Sequence, residues 1–130
     1  MSKSRGEPTL LYKSSIYADL RQAWGVWLVE LGDRVGGWDW WATLTFRDPP
    51  VGKIGVGYAK RAWKAFMEEL RAYRGIGEPA WVRGMEYQHW RGVPHFHALL
   101  SGVKHLRRDS AWSWWFKNYG IARILPYDPQ

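Results

Sequence analysis

The apolar residues of this chain change period several times, and each change marks an element. Ile16, Leu20, Ala23, Trp24, Trp27, Leu28 and Leu31 recur at helical spacing. A helix is therefore expected from Ser14 or Ser15, with serine as N-cap and Gly32 just past its end. After the Gly36-Gly37 break the period falls to two, where Trp40, Ala42, Leu44 and Phe46 alternate with Trp41, Thr43 and Thr45. That pattern predicts a strand over 38–46 with two semi-apolar faces, hence a central one. Asp48-Pro49-Pro50 ends it, and a Gly-rich loop containing Lys53 follows, without the GxxxxGK[ST] spacing of a phosphate loop. Ala59, Ala62, Trp63, Phe66, Met67, Leu70 and Tyr73 then form the apolar stripe of a helix over 58–74, closed by Gly75 and Gly77. Strands over 82–89 and 94–101 make a hairpin about a turn at 90–93. An aromatic helix runs from Asp109 or Ser110 to Asn118, with Trp112, Trp115 and Phe116 on one side and Trp114 elsewhere. A last strand covers 119–125.

The resulting order is α, β, α, β, β, α, β. Without its first helix it is βαββαβ, so the expected fold class is α+β: a ferredoxin-like or RRM-like core with an N-terminal helix added. One antiparallel sheet carries helices on one face and leaves the other open to a ligand. A single domain over residues 1–130 is expected, preceded by a flexible polar lead-in over 1–13. Strand parity points Met85, Tyr87, Phe96, Ala98 and Leu100 at the helices, and Glu86, Gln88, His95 and His97 at the open face.

Composition narrows the function. Nineteen Lys and Arg against twelve Asp and Glu give a formal charge of +7, which favours a polyanionic partner, most often nucleic acid. Eleven tryptophans exceed what a core of this size needs, and surplus rings on a basic chain suit the stacking of single-stranded bases. With no cysteine there is neither a disulfide framework nor a thiolate metal site. No apolar run is long enough to span a bilayer, and residues 1–8 lack a signal peptide's apolar core, so a soluble cytoplasmic protein is expected.

The hairpin carries the chemistry. His95 and His97 leave one face of their strand because a single residue separates them. If the turn centres on Arg91-Gly92, Gln88 faces His95 and Glu86 faces His97. Two imidazoles and a carboxylate then converge, a ligand set that suits a divalent cation, with Gln88 as an extra ligand or a hydrogen-bond partner behind it. Arg83, Arg91, Lys104, Arg107 and Arg108 are expected around the site. By parity His89 points to the other face or into the turn, and His105 is expected in solvent.

Pro94-His-Phe-His-Ala-Leu-Leu100 resembles the motif of HUH endonucleases, in which a bulky hydrophobe separates two histidines. Trp41-Ala-Thr-Leu-Thr-Phe46 resembles the first-strand motif of rolling-circle replication initiators, and Gly120-Ile-Ala-Arg-Ile-Leu-Pro-Tyr-Asp128 their strand after the aromatic helix. The resemblance implies metal-dependent nicking and joining of single-stranded DNA in plasmid or phage replication. His95, His97 and Glu86 would hold Mg²⁺ or Mn²⁺ on the scissile phosphate, and a tyrosine would attack it to leave a 5′-phosphotyrosine. Trp41, Thr43, Thr45, Lys53, Arg83, Arg91, Lys104, Arg107, Arg108 and Arg123 are the expected DNA contacts of a monomeric protein. In initiators of this type the tyrosine lies on a helix after the last strand, so it is expected beyond Gln130. Tyr127 is the candidate within the chain; Tyr119 reads as packing, and Tyr12 and Tyr17 precede the first strand as in conjugative relaxases. The alternatives are a non-catalytic RRM-like single-strand binder, a cupin-like metal enzyme, and an interaction domain held by its tryptophans. The cupin pattern lacks its glutamate between Leu99 and Leu106.

Overall fold

A computed structural model of the chain describes residues 25–49, 51–88 and 92–128, with the backbone alone at Gln88. Contacts divide the chain into a unit of Met1–Arg34 and one of Val35–Gln130. In the first unit residues 25–34 are helical (α1); the expected helix start at Ser14 or Ser15, and Tyr12 and Tyr17, lie outside the described residues. No helix among the described residues is long and apolar enough to cross a membrane.

The second unit runs β1 (Trp40–Thr45), α2 (Val56–Arg74), β2 (Ala80–Gln88), β3 (Val93–Ser101), α3 (Arg108–Asn118) and β4 (Ala122–Pro126). The strands form one antiparallel sheet in the order β2-β3-β1-β4, a ferredoxin-like arrangement that puts β1 and β3 in the middle. β1 buries alternate residues: Trp40, Ala42 and Leu44 lie against the helices with Phe46 just beyond, while Trp41 is exposed on the opposite face.

Each helix forms for local reasons and stays for packing ones. α2 buries Ala59, Ala62, Trp63, Phe66, Met67 and Leu70, a stripe at three- and four-residue spacing. It ends because Gly75 takes φ 78°, the left-handed conformation, and donates its N–H to the Arg71 carbonyl. The Arg74 guanidinium then donates to the carbonyls of Gly102 (2.8 Å), Gly77 (2.7 Å) and Glu78 (2.6 Å), tying the helix end to the exit of β3.

α3 departs from its expected face. Ala111 and Trp115 are buried and Trp114 leans on Phe66, whereas Trp112 and Phe116 are exposed. The apolar residues of this helix spread over too wide an arc for periodicity to choose which of them is buried. Trp115 settles the orientation because its indole N–H donates to the Thr45 carbonyl at 2.7 Å while its ring meets Phe46 and Phe66 edge-on. α3 leads into β4 through Gly120, where an added Cβ would lie 2.5 Å from the Thr45 carbonyl oxygen and 2.7 Å from the Arg47 nitrogen. The neighbouring atoms are backbone and cannot turn aside. Gly120→Ala is therefore expected to cost about 1–3 kcal/mol in urea unfolding. Gly84→Ala, with nothing within 4 Å of the new Cβ, should stay within about 0.5 kcal/mol of the parent.

Candidate metal centre

β2 and β3 pair Glu86 with His95 and Gly84 with His97. The expected pairing of Gln88 with His95 and of Glu86 with His97 is corrected by two residues. Gln88 pairs instead with Val93, so the connection is 89–92, one position earlier than the expected 90–93. Its end is pinned from outside: Gly92 takes φ 70°, its carbonyl accepts the Ile54 N–H at 2.7 Å, and the Lys53 side chain lies against it. A slip of one residue would have turned the ligands into the core, but a slip of two preserves their face.

Two rows of side chains cross the open face. Thr45, His95 and Glu86 are in register, and one step along the strands so are Arg123, Thr43, His97 and Gly84. His95 Nε2 lies 2.7 Å from Glu86 Oε1 and His97 Nε2 lies 3.5 Å from the same oxygen. The three ligand atoms fall within 4.8 Å of one another. The His95 side chain is 11% exposed, His97 39% and Glu86 67%, so the cluster is anchored on one side and open on the other. Thr43 Oγ1 makes a long 3.4 Å contact with His97 Nδ1, and Trp41 stacks beside that imidazole at 6.2 Å. The hydrogen bond from His95 holds the Glu86 carboxyl below its ordinary range, partly offset by desolvation.

These residues can hold a metal ion. A cation about 2.0–2.2 Å from each donor needs donor separations near 3 Å, and the two Glu86–histidine distances, 2.7 and 3.5 Å, bracket that value. Two imidazoles with one carboxylate suit several divalent metals, and the donor set does not choose among them. Gly84 stands opposite His97 on β2 and leaves open space there, an added Cβ meeting nothing within 4 Å. The sequence reading missed it, although a glycine inside a strand commonly marks a place where something must approach the backbone.

The expected basic surround does not assemble. Arg83 is on the helix side, its guanidinium 5.0 Å from the Phe96 ring and 5.4 Å from those of Trp63 and Trp81. Burial there pushes its pKa down. Lys104, Arg107 and Arg108 gather at the start of α3, and Lys53 lies in the loop between β1 and α2. Of the expected cations only Arg123 shares the open face among the described residues, two strand spacings or about 10 Å from His97. Arg91 and His89 lie outside the described residues, and His105 is exposed as expected. The Tyr127 N–H bonds to the Asp39 carbonyl, four positions before Thr43, so Tyr127 sits at the far end of the sheet from His95. Tyr119 packs against Phe46, Trp115 and Tyr58, and burial raises its phenol above the ordinary value.

Residues 39–127 match the family model for the replication-associated protein ORF2. No curated protein and no solved structure gives a significant match.

Two outcomes test the cluster. Mn²⁺ should raise the melting temperature of the chain reversibly with chelator, by about 2.7 kcal/mol of stability at a hundred times its Kd. His97→Ala and Glu86→Ala should remove that rise. Without metal, the depressed Glu86 pKa means its pairing contributes above the ordinary value of 4.5 and fades as pH falls through the lower folded value. The stability difference between the parent and Glu86→Gln should therefore be present at neutral pH and close below pH 4.5.

Proposed function

The chain belongs to the family of the replication-associated protein ORF2, and from that premise we propose that it is an HUH-type endonuclease acting on single-stranded DNA. Its role is a replication-related one, and the reaction we infer is the nicking and rejoining of an origin strand. The observation that carries this reading is the convergence of Glu86, His95 and His97 on the exposed side of the sheet, inside the matched region. The three would hold Mg²⁺ or Mn²⁺, which when bound polarises a phosphate and offsets the charge that grows on its oxygens.

The remaining residues position and attract. Thr43 contacts Nδ1 of His97, which leaves Nε2 as the nitrogen offered to the cluster. Glu86 lies 2.7 Å from Nε2 of His95, the nitrogen that faces the cluster, so a bound metal would take the place of that contact. Trp41, exposed and stacked on His97, gives a base a surface next to the phosphate. Arg123, without a partner among the described residues, supplies positive charge one row of the sheet away from Trp41. Thr45 lends its hydroxyl to the Ile121 carbonyl and so supports the sheet beside His95.

Attack by a tyrosine hydroxyl on phosphorus breaks the bond to the 3′ oxygen. It leaves a free 3′-hydroxyl and a 5′-phosphotyrosine, and the reverse step reseals the strand. Tyr58 and Tyr73 belong to α2, Tyr87 and Tyr119 lie on the helix side, and Tyr127 is at the far end of the sheet. None of these faces the cluster, and we infer an attacking tyrosine outside the described residues.

The test is a pool of labelled single-stranded oligonucleotides incubated with the protein and Mn²⁺, then resolved under native and denaturing conditions. Strand binding with a component that needs the metal and disappears in His95→Ala and His97→Ala is the expected result; with the tyrosine expected beyond Gln130, little or no covalent adduct should form, and an adduct would overturn that expectation. Strand binding indifferent to Mn²⁺ and to both histidines, with no adduct, would instead support the non-catalytic RRM-like binder. In either case Trp41→Ala should weaken strand binding by about 1–3 kcal/mol.

A further inference from the structure

Lys104, Arg107 and Arg108 fall away from the histidines but not apart from one another. With Leu106, Asp109, Trp112 and Ile124 they line an open cleft of about 620 Å³ at the start of α3. Arg108 donates to the Ile124 carbonyl at 3.1 Å, which fixes that wall to β4. Arg107 and Asp109 pair at 2.7 Å, each stabilising the other's charged form. Lys104 is exposed and has no partner among the described residues. Three cations against one carboxylate leave the cleft with an excess of positive charge.

Beside the cleft Trp112 and Phe116 lie one helical turn apart, stacked 5.0 Å apart and 7° from parallel. Both are exposed, at 39% and 48%. They are surplus to the core, which takes Ala111 and Trp115 from this helix. Flat exposed rings next to fixed positive charge complement one kind of partner closely. Unpaired bases have free faces to stack, and their phosphates need countercharge. Bases inside a duplex have no free face, and an acidic protein surface would leave the rings unused.

We propose that the start of α3 is a second docking surface for single-stranded DNA, apart from the histidine cluster. A base stacks on the Trp112–Phe116 pair and the adjoining phosphates lie against Lys104 and the two arginines. The proposal rests on the preceding reading only in taking the nucleic acid to be DNA. It does not require the metal.

The experiment is the anisotropy of a labelled oligothymidylate titrated with the whole chain in chelator. Trp112→Ala with Phe116→Ala should weaken binding at least about fivefold, the lower end of what one stacked base contributes, while the Mn²⁺-induced rise in melting temperature persists. Lys104→Glu should reduce the slope of log affinity against log salt by about one. His95→Ala with His97→Ala should lose the Mn²⁺ response. Unchanged affinity in the aromatic double variant overturns the proposal. If that variant fails to fold, an unchanged salt slope in Lys104→Glu overturns it instead. Loss of affinity at α3 in a chain that never responds to Mn²⁺ sinks the metal reading and leaves this one standing.

Discussion

The pairing of β1 with β3 is the constraint on which the rest of the structure depends. Ala42 opposite Ala98 and Leu44 opposite Phe96 commit one face of the sheet to α2 and α3. Once those residues are buried, Thr43, Thr45, His95 and His97 have only the other face available, because the side-chain period of a strand is two. The core and the candidate site are thus the two sides of a single pattern. Rings meeting edge-on among Phe46, Phe66, Phe96 and Trp115 hold the first side in place, and burial of that kind is what makes the register costly to change.

That dependence explains which parts were legible beforehand. Alternation along Trp40–Phe46 and Pro94–Ser101 gave the central strands and the outward face of both histidines, since parity needs no knowledge of partners. Register did need one. Gly92 is held by Ile54 and Lys53, residues nearly forty positions earlier, and nothing local to the hairpin announces that contact. The same limit governs the arginines. Arg83 is one strand position out of phase with Glu86, so parity alone would have sent it to the helix side. Lys104, Arg107 and Arg108 follow a strand exit whose direction is set by the Asp39 carboxylate, which accepts the Gly102 and Val103 N–H groups at 2.7 and 3.1 Å. α3 was misread for a different reason. Its aromatic content has no clear period, and Trp115 is chosen over Trp112 by a hydrogen bond to β1 that only the folded chain contains.

Charge in this molecule is spread rather than focused. The cluster on the open face is built of two imidazoles and one carboxylate, and among the described residues Arg123, in the row of His97, is the cation that shares that face. The stronger basic groupings belong to other parts of the surface. A chain with a formal charge of +7 can attract a polyanion over long range wherever on its surface the cations lie.

The hairpin that bears Glu86 and His95 gains its firmness from an element on the opposite side of the sheet. Tyr87, next to Glu86 and pointing the other way, donates its hydroxyl to the Ile54 carbonyl at 3.1 Å, while the Ile54 N–H reaches the Gly92 carbonyl. One residue of the segment leading into α2 thus clasps both arms of the hairpin. Glu86, the most solvent-exposed of the three cluster residues and on an edge strand, thus adjoins a residue tied to the segment before α2, and that tie compensates for the neighbour strand that β2 lacks on its outer side.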